Sequence, residues 1–224
     1  GTGEAWWWAP VAQVTASWLA PSSPPSARMG RGTPPPARAL RVGVIAPGRG
    51  GAAAAPLLDA FARAGFEAEP FSPAAPGCEL VVAMERFLEP HGPERLEAAG
   101  LPQLAVRFGD RALSVGPLVP GEGGPCLSCA TLHDVDRDPA LPALAAQLLG
   151  EIPAAETVAG IEAAAGLAVL MVRHWRAGSE MPARTRLRVP VREGLPSPEV
   201  LSERVEPHPE CGCGLTASAA RLPR

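Results

Sequence analysis

The stretch VGPLVPGEGGPCLSC, residues 115–129, ends in two cysteines, Cys126 and Cys129, with two residues between them. On a Gly/Pro-rich knuckle, two thiols at this spacing point the same way, as a tetrahedral metal that prefers thiolates requires. A second pair, Cys211 and Cys213, lies near the C-terminus. Four soft ligands in two tight pairs predict a zinc site formed by these four cysteines.

The separation of the two pairs along the chain indicates what the predicted site does. Residues 130–210 lie between them, far more than a small zinc ribbon needs, so the metal would staple the end of the chain onto its middle. Four thiolates leave no open coordination position for water or substrate, which makes the predicted site structural. His208 is an alternative ligand in place of one thiolate, but the Cys-Gly-Cys spacing of the tail favours the all-cysteine set.

The pair formed by Cys126 and Cys129 has a second interpretation, as a redox motif. A Cys-x-x-Cys of the thioredoxin type lies at the N-terminus of a helix that follows a strand. Here the pair follows a Gly/Pro loop and another pair comes later in the chain, so the sequence favours metal binding. The neighbouring His133, Asp134 and Asp136 are predicted to cap the next helix and to lie in solvent.

Composition excludes several classes of function. The formal net charge of −3 gives no electrostatic basis for binding nucleic acid. The sequence has no lysine, so a Walker-type nucleotide site is excluded. No apolar run reaches the ~18 residues of a membrane span, and no membrane partner is expected. The odd cysteine count, with Cys78 outside the two pairs, fits a reducing cytoplasm better than a secreted disulfide framework.

The apolar pattern from residue 40 onward predicts alternating strands and helices, and therefore an α/β sheet. An Ala-rich helix that stops at Gly65, between the first two strands, gives a βαβ start. The strand at 185–191 alternates polar and apolar residues, which is typical of an edge strand or an exposed face. The predicted strands span residues 40–45, 66–70, 79–84, 103–108, 111–115 and 185–191, and the predicted helices span 52–64, 93–99, 141–149 and 154–175.

Residues 1–39 differ in character from the rest of the chain. They contain a Trp-Trp-Trp run at 6–8 and a Pro/Ser-rich stretch, with many helix breakers and little periodicity. We predict a Pro/Trp-rich N-terminal arm or linker over 1–39 and one domain over 40–224. The tryptophans either pack on the protein's own body or on a second subunit, which would form a homodimer, or they anchor a partner protein.

Three features together resemble a known family: the segment at 115–129, the long Ala-rich helix, and HPECGCG at 208–214. They are similar to the E1-like (ThiF-type) proteins of ribosomal peptide biosynthesis, which are partners of cyclodehydratases that make azole-modified peptides. The resemblance spans residues 40–214. It implies a Rossmann-like E1 sheet with helices on both faces and a zinc-stapled C-terminal segment. It also implies a scaffold that holds a precursor peptide and presents it to an ATP-using YcaO-type enzyme.

Active E1 enzymes bind ATP and magnesium and adenylate a carboxylate, and this sequence departs from their pattern. The turn that would hold ATP contains Gly48, Gly50 and Gly51, with Ala53 at the third glycine position. Glu69 is the candidate for the ribose, and no lysine is present for the phosphates.

The magnesium position shows a similar departure. After the strand at 79–84 the sequence has Glu85 and Arg86, and we interpret Arg86 as neutralising Glu85. ATP and magnesium binding are therefore expected to be lost, with the sheet kept as a scaffold that has no catalytic residue. The alternative is an ATP-dependent adenylyltransferase that activates a peptide or carrier carboxylate at the turn of residues 48–51.

Overall fold

The computed structural model describes residues 38–47, 54–72, 77–88, 100–120 and 125–213. These residues form a mixed α/β fold around one curled sheet. The strands are β1 Arg41–Ile45, β2 Glu67–Pro70, β3 Leu80–Arg86, β4 Gln103–Phe108, β5 Ala112–Val119, β6 Thr185–Arg192, β7 Leu195–Pro196 and β8 Leu201–Arg204. The helices are α1 Ala55–Arg63, α2 Leu127–Arg137, α3 Leu141–Gln147, α4 Val158–Arg176 and α5 Met181–Arg184.

The first four strands are parallel. β1 lies between β2 and β3 and runs parallel to both, and β4 continues the parallel set beside β3. Helix α1 makes the crossover from β1 to β2, which confirms the predicted βαβ start. Gly65, with φ of 85°, follows the end of that helix as predicted, because a left-handed backbone costs glycine little.

The second half of the sheet is antiparallel. β5 returns against β4, β6 pairs with β5, and both β7 and β8 pair with β6. β6 therefore lies inside the sheet, and the prediction of an edge or exposed strand at 185–191 is wrong. One of its arginines, Arg186, is only 5% exposed and is paired with carboxylates of other elements.

Helices cover both faces of the sheet. On one face, α1 and α4 pack on a large apolar cluster that includes Leu104 and Val106 of β4. Ala105, which lies between them in the sequence, packs instead with Val119 of β5 and Leu127 of α2. Because successive residues of a strand point to opposite faces, α2 lies on the face opposite to α1 and α4.

Helix α4 is the central core helix. Its N-cap is Thr157, whose hydroxyl accepts a hydrogen bond from the backbone N–H of Gly160 at 3.1 Å. Ala164, Ala165 and Ala168 are buried, and their small side chains allow the helix to approach the sheet closely. By length and composition α4 also qualifies as a membrane-spanning helix, although no apolar run of this length is predicted from the sequence. Its inward face packs in the main core cluster.

The Gly/Pro-rich stretch before the first cysteine pair is a strand for part of its length. β5 runs through Gly116, whose φ is 97°. A Cβ atom at this position would lie 2.5 Å from the carbonyl oxygen of Thr185 and 2.8 Å from the Cε of Met171. The glycine therefore lets β5 pass close to the start of β6 and to α4, and the knuckle begins only after Val119.

Some predictions fall on residues outside the described ranges. These are the arm up to residue 37, the glycine turn at 48–51 and the helix at 93–99. The boundary between arm and domain, and a homodimer formed through the arm, stay predictions.

Candidate metal centre

Four cysteines converge at the N-terminus of helix α2. Cys126 is the N-cap residue of α2, and Cys129 lies in its first turn. Cys211 and Cys213 come from the tail that follows β8. Cys126, Cys129 and Cys211 are buried, and all four sulfur atoms lie within 4.8 Å of one another. The two pairs that the sequence predicted to form one site are therefore neighbours in space.

The distances between the sulfur atoms fit a tetrahedral metal. A metal bound to four thiolates at about 2.3 Å holds the sulfurs about 3.8 Å apart. The Sγ atoms of Cys126 and Cys129 are 3.7 Å apart, those of Cys126 and Cys211 3.5 Å, and those of Cys129 and Cys213 3.3 Å. These separations exceed the about 2.0 Å of a disulfide bond, and the four thiols are compatible with one metal ion.

The setting of the first cysteine pair differs from the prediction. The pair lies at a helix N-terminus after a strand, because β5 ends at Val119 and α2 begins at Leu127. This is the setting of a redox Cys-x-x-Cys, so the local structure does not separate the two interpretations. The tail separates them, because Cys211 and Cys213 complete a cluster of four sulfurs that a dithiol site lacks.

The thiols of the cluster differ in acidity. Burial raises the pKa of Cys129, but hydrogen bonds with the backbone of His208, the Cys213 thiol and the backbone of Cys126 outweigh it and hold that pKa below its ordinary value. Burial, together with the hydrogen bond to Cys129, raises the pKa of Cys213 to about 11. A metal that binds all four as thiolates therefore has to displace protons, which makes its binding weaker in acid.

His208 fixes the tail beside the cluster instead of joining it. Its Nε2 lies 3.0 Å from Oδ2 of Asp136, and its Nδ1 accepts a hydrogen bond from the backbone N–H of Glu210 at 3.1 Å. Because Nδ1 accepts, Nε2 carries the proton and donates it to Asp136. The His208 carbonyl also accepts from the N–H of Cys211 at 3.0 Å. The ring is committed to these bonds, which disfavours the set of three cysteines and one histidine.

His133 of α2 provides a second hold on the tail. Its Nε2 lies 2.9 Å from the carbonyl oxygen of Glu206, and its ring meets that of His208 edge-on with centroids 4.8 Å apart. We call His133, Asp136 and His208 the tail clasp. These three could approach one cation, but both ring nitrogens of His208 are already used in hydrogen bonds. The prediction that His133, Asp134 and Asp136 cap the next helix is wrong, because α2 continues through all three.

Asp134 organises an ion-pair network that the sequence analysis missed. Its carboxylate accepts hydrogen bonds from Arg186 at 2.6 and 2.8 Å, and Arg186 also donates to Glu203 at 2.7 Å. Burial raises the pKa of Asp134, but the hydrogen bonds and charge of Arg186 outweigh it and hold that pKa below its ordinary value. The network ties α2 to β6 and β8, and its partners are too far apart along the chain to leave a local signal.

The candidate nucleotide residues are only partly within the described structure. Gly48, Gly50 and Gly51 lie outside the described ranges. Glu69 lies in β2 and is exposed. A role for these residues in binding ATP stays a prediction.

The two charged residues at the end of β3 have separate partners. Oε2 of Glu85 accepts from Nε of Arg107 at 3.1 Å, and Arg86 binds both carboxylate oxygens of Glu156 at 2.5 and 2.6 Å. Adjacent residues of a strand point to opposite faces. The interpretation that Arg86 neutralises Glu85 is therefore wrong, although Glu85 is neutralised by another arginine.

Among known proteins, this chain is similar only in fold to the matches that follow. No family model matches the sequence, and no curated protein matches it significantly. A heterocyclase in complex with substrate and cofactor matches with a TM-score of 0.60 and 14% identity, over 78% of this chain and 25% of that one. The heterocyclase TruD matches with a TM-score of 0.52 and 18% identity, over 79% and 27%. This chain shares its fold with part of these heterocyclases.

This chain spans about a quarter of the length of the heterocyclase structures it matches. E. coli MccB with AMPCPP and MccA also matches, with a TM-score of 0.45 and 13% identity, over 66% of this chain and 46% of that one. At 14% and 18% identity, the likeness to the two heterocyclase structures is one of fold.

Proposed function

We propose that this chain is a zinc-containing, E1-like scaffold that assists a YcaO-type cyclodehydratase in the maturation of a ribosomally made peptide. The observation that carries the proposal is the cluster of four cysteines in a fold shared with heterocyclase structures. The proposal includes a Rossmann-like E1 architecture for the sheet. It also places the chain in a reducing cytoplasm, where thiols are kept from forming disulfides.

Zinc is the metal that this donor set favours, since it prefers thiolates in a tetrahedral arrangement. Cys126, Cys129, Cys211 and Cys213 would hold it. With four protein ligands the ion has no position for substrate, so its contribution is to fix the tail against α2. Metal binding then adds to the stability of the folded chain.

Two features favour a scaffold over an adenylating enzyme. The chain has no lysine for phosphates. Glu85, the candidate magnesium ligand, is 2% exposed, and its Oε2 is paired with Arg107. Magnesium keeps most of its water ligands when it binds to a protein, and a carboxylate buried to this extent leaves little room for a hydrated ion. A scaffold contributes instead by raising the effective concentration of the peptide at the enzyme.

A reconstitution tests the proposal. A YcaO-type enzyme and a precursor peptide from the same source as this chain are incubated with ATP, with and without the chain, and water loss from the peptide is followed by mass spectrometry. We expect the chain to speed modification by roughly tenfold or more, as effective-concentration effects commonly do. An unchanged rate would contradict the scaffold.

A titration of the purified chain with magnesium-ATP, with zinc determined on the same sample, tests the competing adenylyltransferase. We expect stoichiometric zinc and no heat of binding. Heat on titration, followed by pyrophosphate release with an acceptor peptide, would support the adenylyltransferase instead.

A further inference from the structure

A groove of about 400 Å³ opens between helix α3 and the hairpin of β4 and β5. It is separate from the cysteine cluster, none of whose residues lines it. One wall is a face of α3, and the other is formed by the hairpin turn and by β6. The two walls differ in chemistry, and together they define what the groove could bind.

The wall formed by α3 is apolar and open. Leu141, Leu144, Ala145 and Leu148 line the groove at the spacing of one helix face. A helix normally buries such a face against the core. Here Ala145 is buried but Leu144 is 45% exposed, so this face is available to an apolar side chain from outside.

The opposite wall carries two arginines with unused hydrogen-bonding capacity. Arg111, in the hairpin turn, is exposed and makes no ion pair with a carboxylate in the described part of the chain. The Arg188 side chain is 41% exposed, and its ion pair with Glu203 is long, at 3.5 Å. Glu203 binds Arg186 more closely, at 2.7 Å. Exposed guanidinium groups without a close ion pair are good partners for a carboxylate.

The lining of the groove contains five arginines and three aspartates, so its formal charge is positive. Asp110 accepts a hydrogen bond from the backbone N–H of Ala154 at 2.9 Å, and Asp138 accepts from that of Ala140 at 3.1 Å. Asp134 is held by Arg186 in the network described above. These bonds hold the three aspartate side chains in place, which lowers the ordering cost of binding a ligand.

We infer that this groove binds a short peptide segment that is both acidic and aliphatic. A carboxylate of the segment pairs with Arg111 and Arg188, and a neighbouring Leu-like side chain packs on Leu144. The charge of the two arginines favours an anion, and the leucines of α3 favour an apolar group beside it. The inference rests on the proposed function in that the natural segment belongs to the precursor peptide.

Selection from a random peptide library displayed on phage tests the inference with the whole chain as bait. We expect enriched sequences that combine Asp or Glu with Leu, Ile or Val. A labelled peptide of the enriched sequence should bind roughly tenfold or more weakly to Arg111→Glu and to Leu144→Asp, which corresponds to the loss of one good contact. The same peptide with Gln in place of Glu should lose a similar factor.

Two matched variants lie outside the groove. Arg192→Glu and Leu195→Asp change exposed residues near the turn between β6 and β7, and both should leave binding unchanged. Enriched peptides without acidic residues, or binding that the groove variants do not weaken, would overturn the inference. So would equal weakening by the control variants.

The reconstitution separates this inference from the proposed function. If the wild-type chain speeds peptide modification and both groove variants do so equally, the groove is overturned and the scaffold stands. If the wild type has no effect on modification but selects acidic, aliphatic peptides at the groove, the scaffold is overturned and the binding site stands.

Discussion

Cys129 shows how one residue joins the local and distant parts of the cluster. It lies in the first turn of α2, it is fully buried, and its sulfur contacts Cys126 from its own segment and Cys213 from the tail. The backbone of His208 also hydrogen-bonds to it. Removing this sulfur therefore affects the helix and the tail at once.

We expect Cys129→Ser to abolish stoichiometric zinc binding, because a serine hydroxyl is not ionised at neutral pH and is a poor zinc ligand. If lost metal binding costs about 2–3 kcal/mol of stability, the thermal midpoint falls by roughly 4–12 °C for a chain of this size. Zinc content by mass spectrometry and a melting curve measure both effects.

The matched control for this variant is Cys78→Ser. The Cys78 thiol lies outside the cluster, donates to the carbonyl oxygen of Leu80 at 2.9 Å and accepts from the N–H of Gly43 at 3.2 Å. A serine can make both bonds, so zinc content should stay unchanged. A Cys129→Ser protein that keeps its zinc and its midpoint would disprove the zinc staple.

The tail clasp makes a separate prediction at the residue scale. His208→Ala removes the bond to Asp136 and the acceptor for the N–H of Glu210. Residues that support metal ligands in this way commonly change metal affinity by about 10–100-fold, and we expect a loss in this range in competition with a chelator. Asp136→Asn keeps an acceptor for the ring and should lose less. His174→Ala, at an exposed site on α4, should lose nothing; equal affinity in all the variants would contradict the clasp.

At the scale of elements, the ion-pair network predicts how stability depends on pH. The pKa values of Asp134 and Glu203 are held below their ordinary range, because hydrogen bonds and charge from Arg186 outweigh burial. A carboxylate with a lowered pKa stabilises the fold fully above its unfolded-state pKa, about 4. That contribution is lost as the pH falls through the lower folded-state pKa.

Asp134→Asn should therefore cost roughly 2–4 kcal/mol at pH 7, as expected for breaking a largely buried pair. The difference from wild type should shrink as the pH falls below about 4, because protonation of the wild-type carboxylate removes its contribution. Zinc is released in acid from both proteins, so the difference between their denaturant-unfolding free energies isolates the network. Glu162→Gln, on the exposed side of α4, is the control. A difference that stays constant with pH would contradict the argument.

Two glycines give another prediction about elements. Gly116→Ala should destabilise the fold by about 2 kcal/mol or more, because φ is 97° and the new Cβ would meet the Thr185 carbonyl oxygen at 2.5 Å. Gly166, inside α4, has open space around the position of a Cβ. Gly166→Ala should stabilise by about 1 kcal/mol. Denaturant unfolding checks both, and a stable Gly116→Ala protein would show that β5 can shift away.

The elements that the sequence predicted well are those with local signals. β3 and β4 are continuous apolar runs, and their predicted bounds agree closely with the structure. The cysteines were grouped because ligand pairs have a characteristic spacing. β6 was misjudged because Arg186 and Arg188 resemble solvent-facing residues, whereas their partners lie in other elements. The tail clasp and the Asp134 network lie outside the cysteine cluster. They join residues that are too distant along the chain to be recognised by a spacing rule.

At the scale of the whole molecule, the cysteine cluster and the main core are separate clusters of buried residues. α1 and α4 pack on the sheet without the cysteines, so the sheet has its own source of stability. The tail from residue 205 to 213 depends on the cluster and on the clasp. A metal there therefore governs local opening of the tail more than unfolding of the sheet.

Removal of zinc by a chelator should consequently act on a limited part of the chain. We expect the backbone amides of residues 208–213 to exchange with deuterium at least about tenfold faster, since local opening costs less once the metal is gone. Amides of β1, β3 and β4 should keep their protection, because the apolar cluster that buries them contains none of the four cysteines. Removal of zinc from the His208→Ala protein should open the tail further, since the metal and the bonds of the His208 ring are then both absent. If the sheet amides accelerated as much as the tail, the metal would be supporting the whole fold, and the cluster would be part of the core rather than a staple on it.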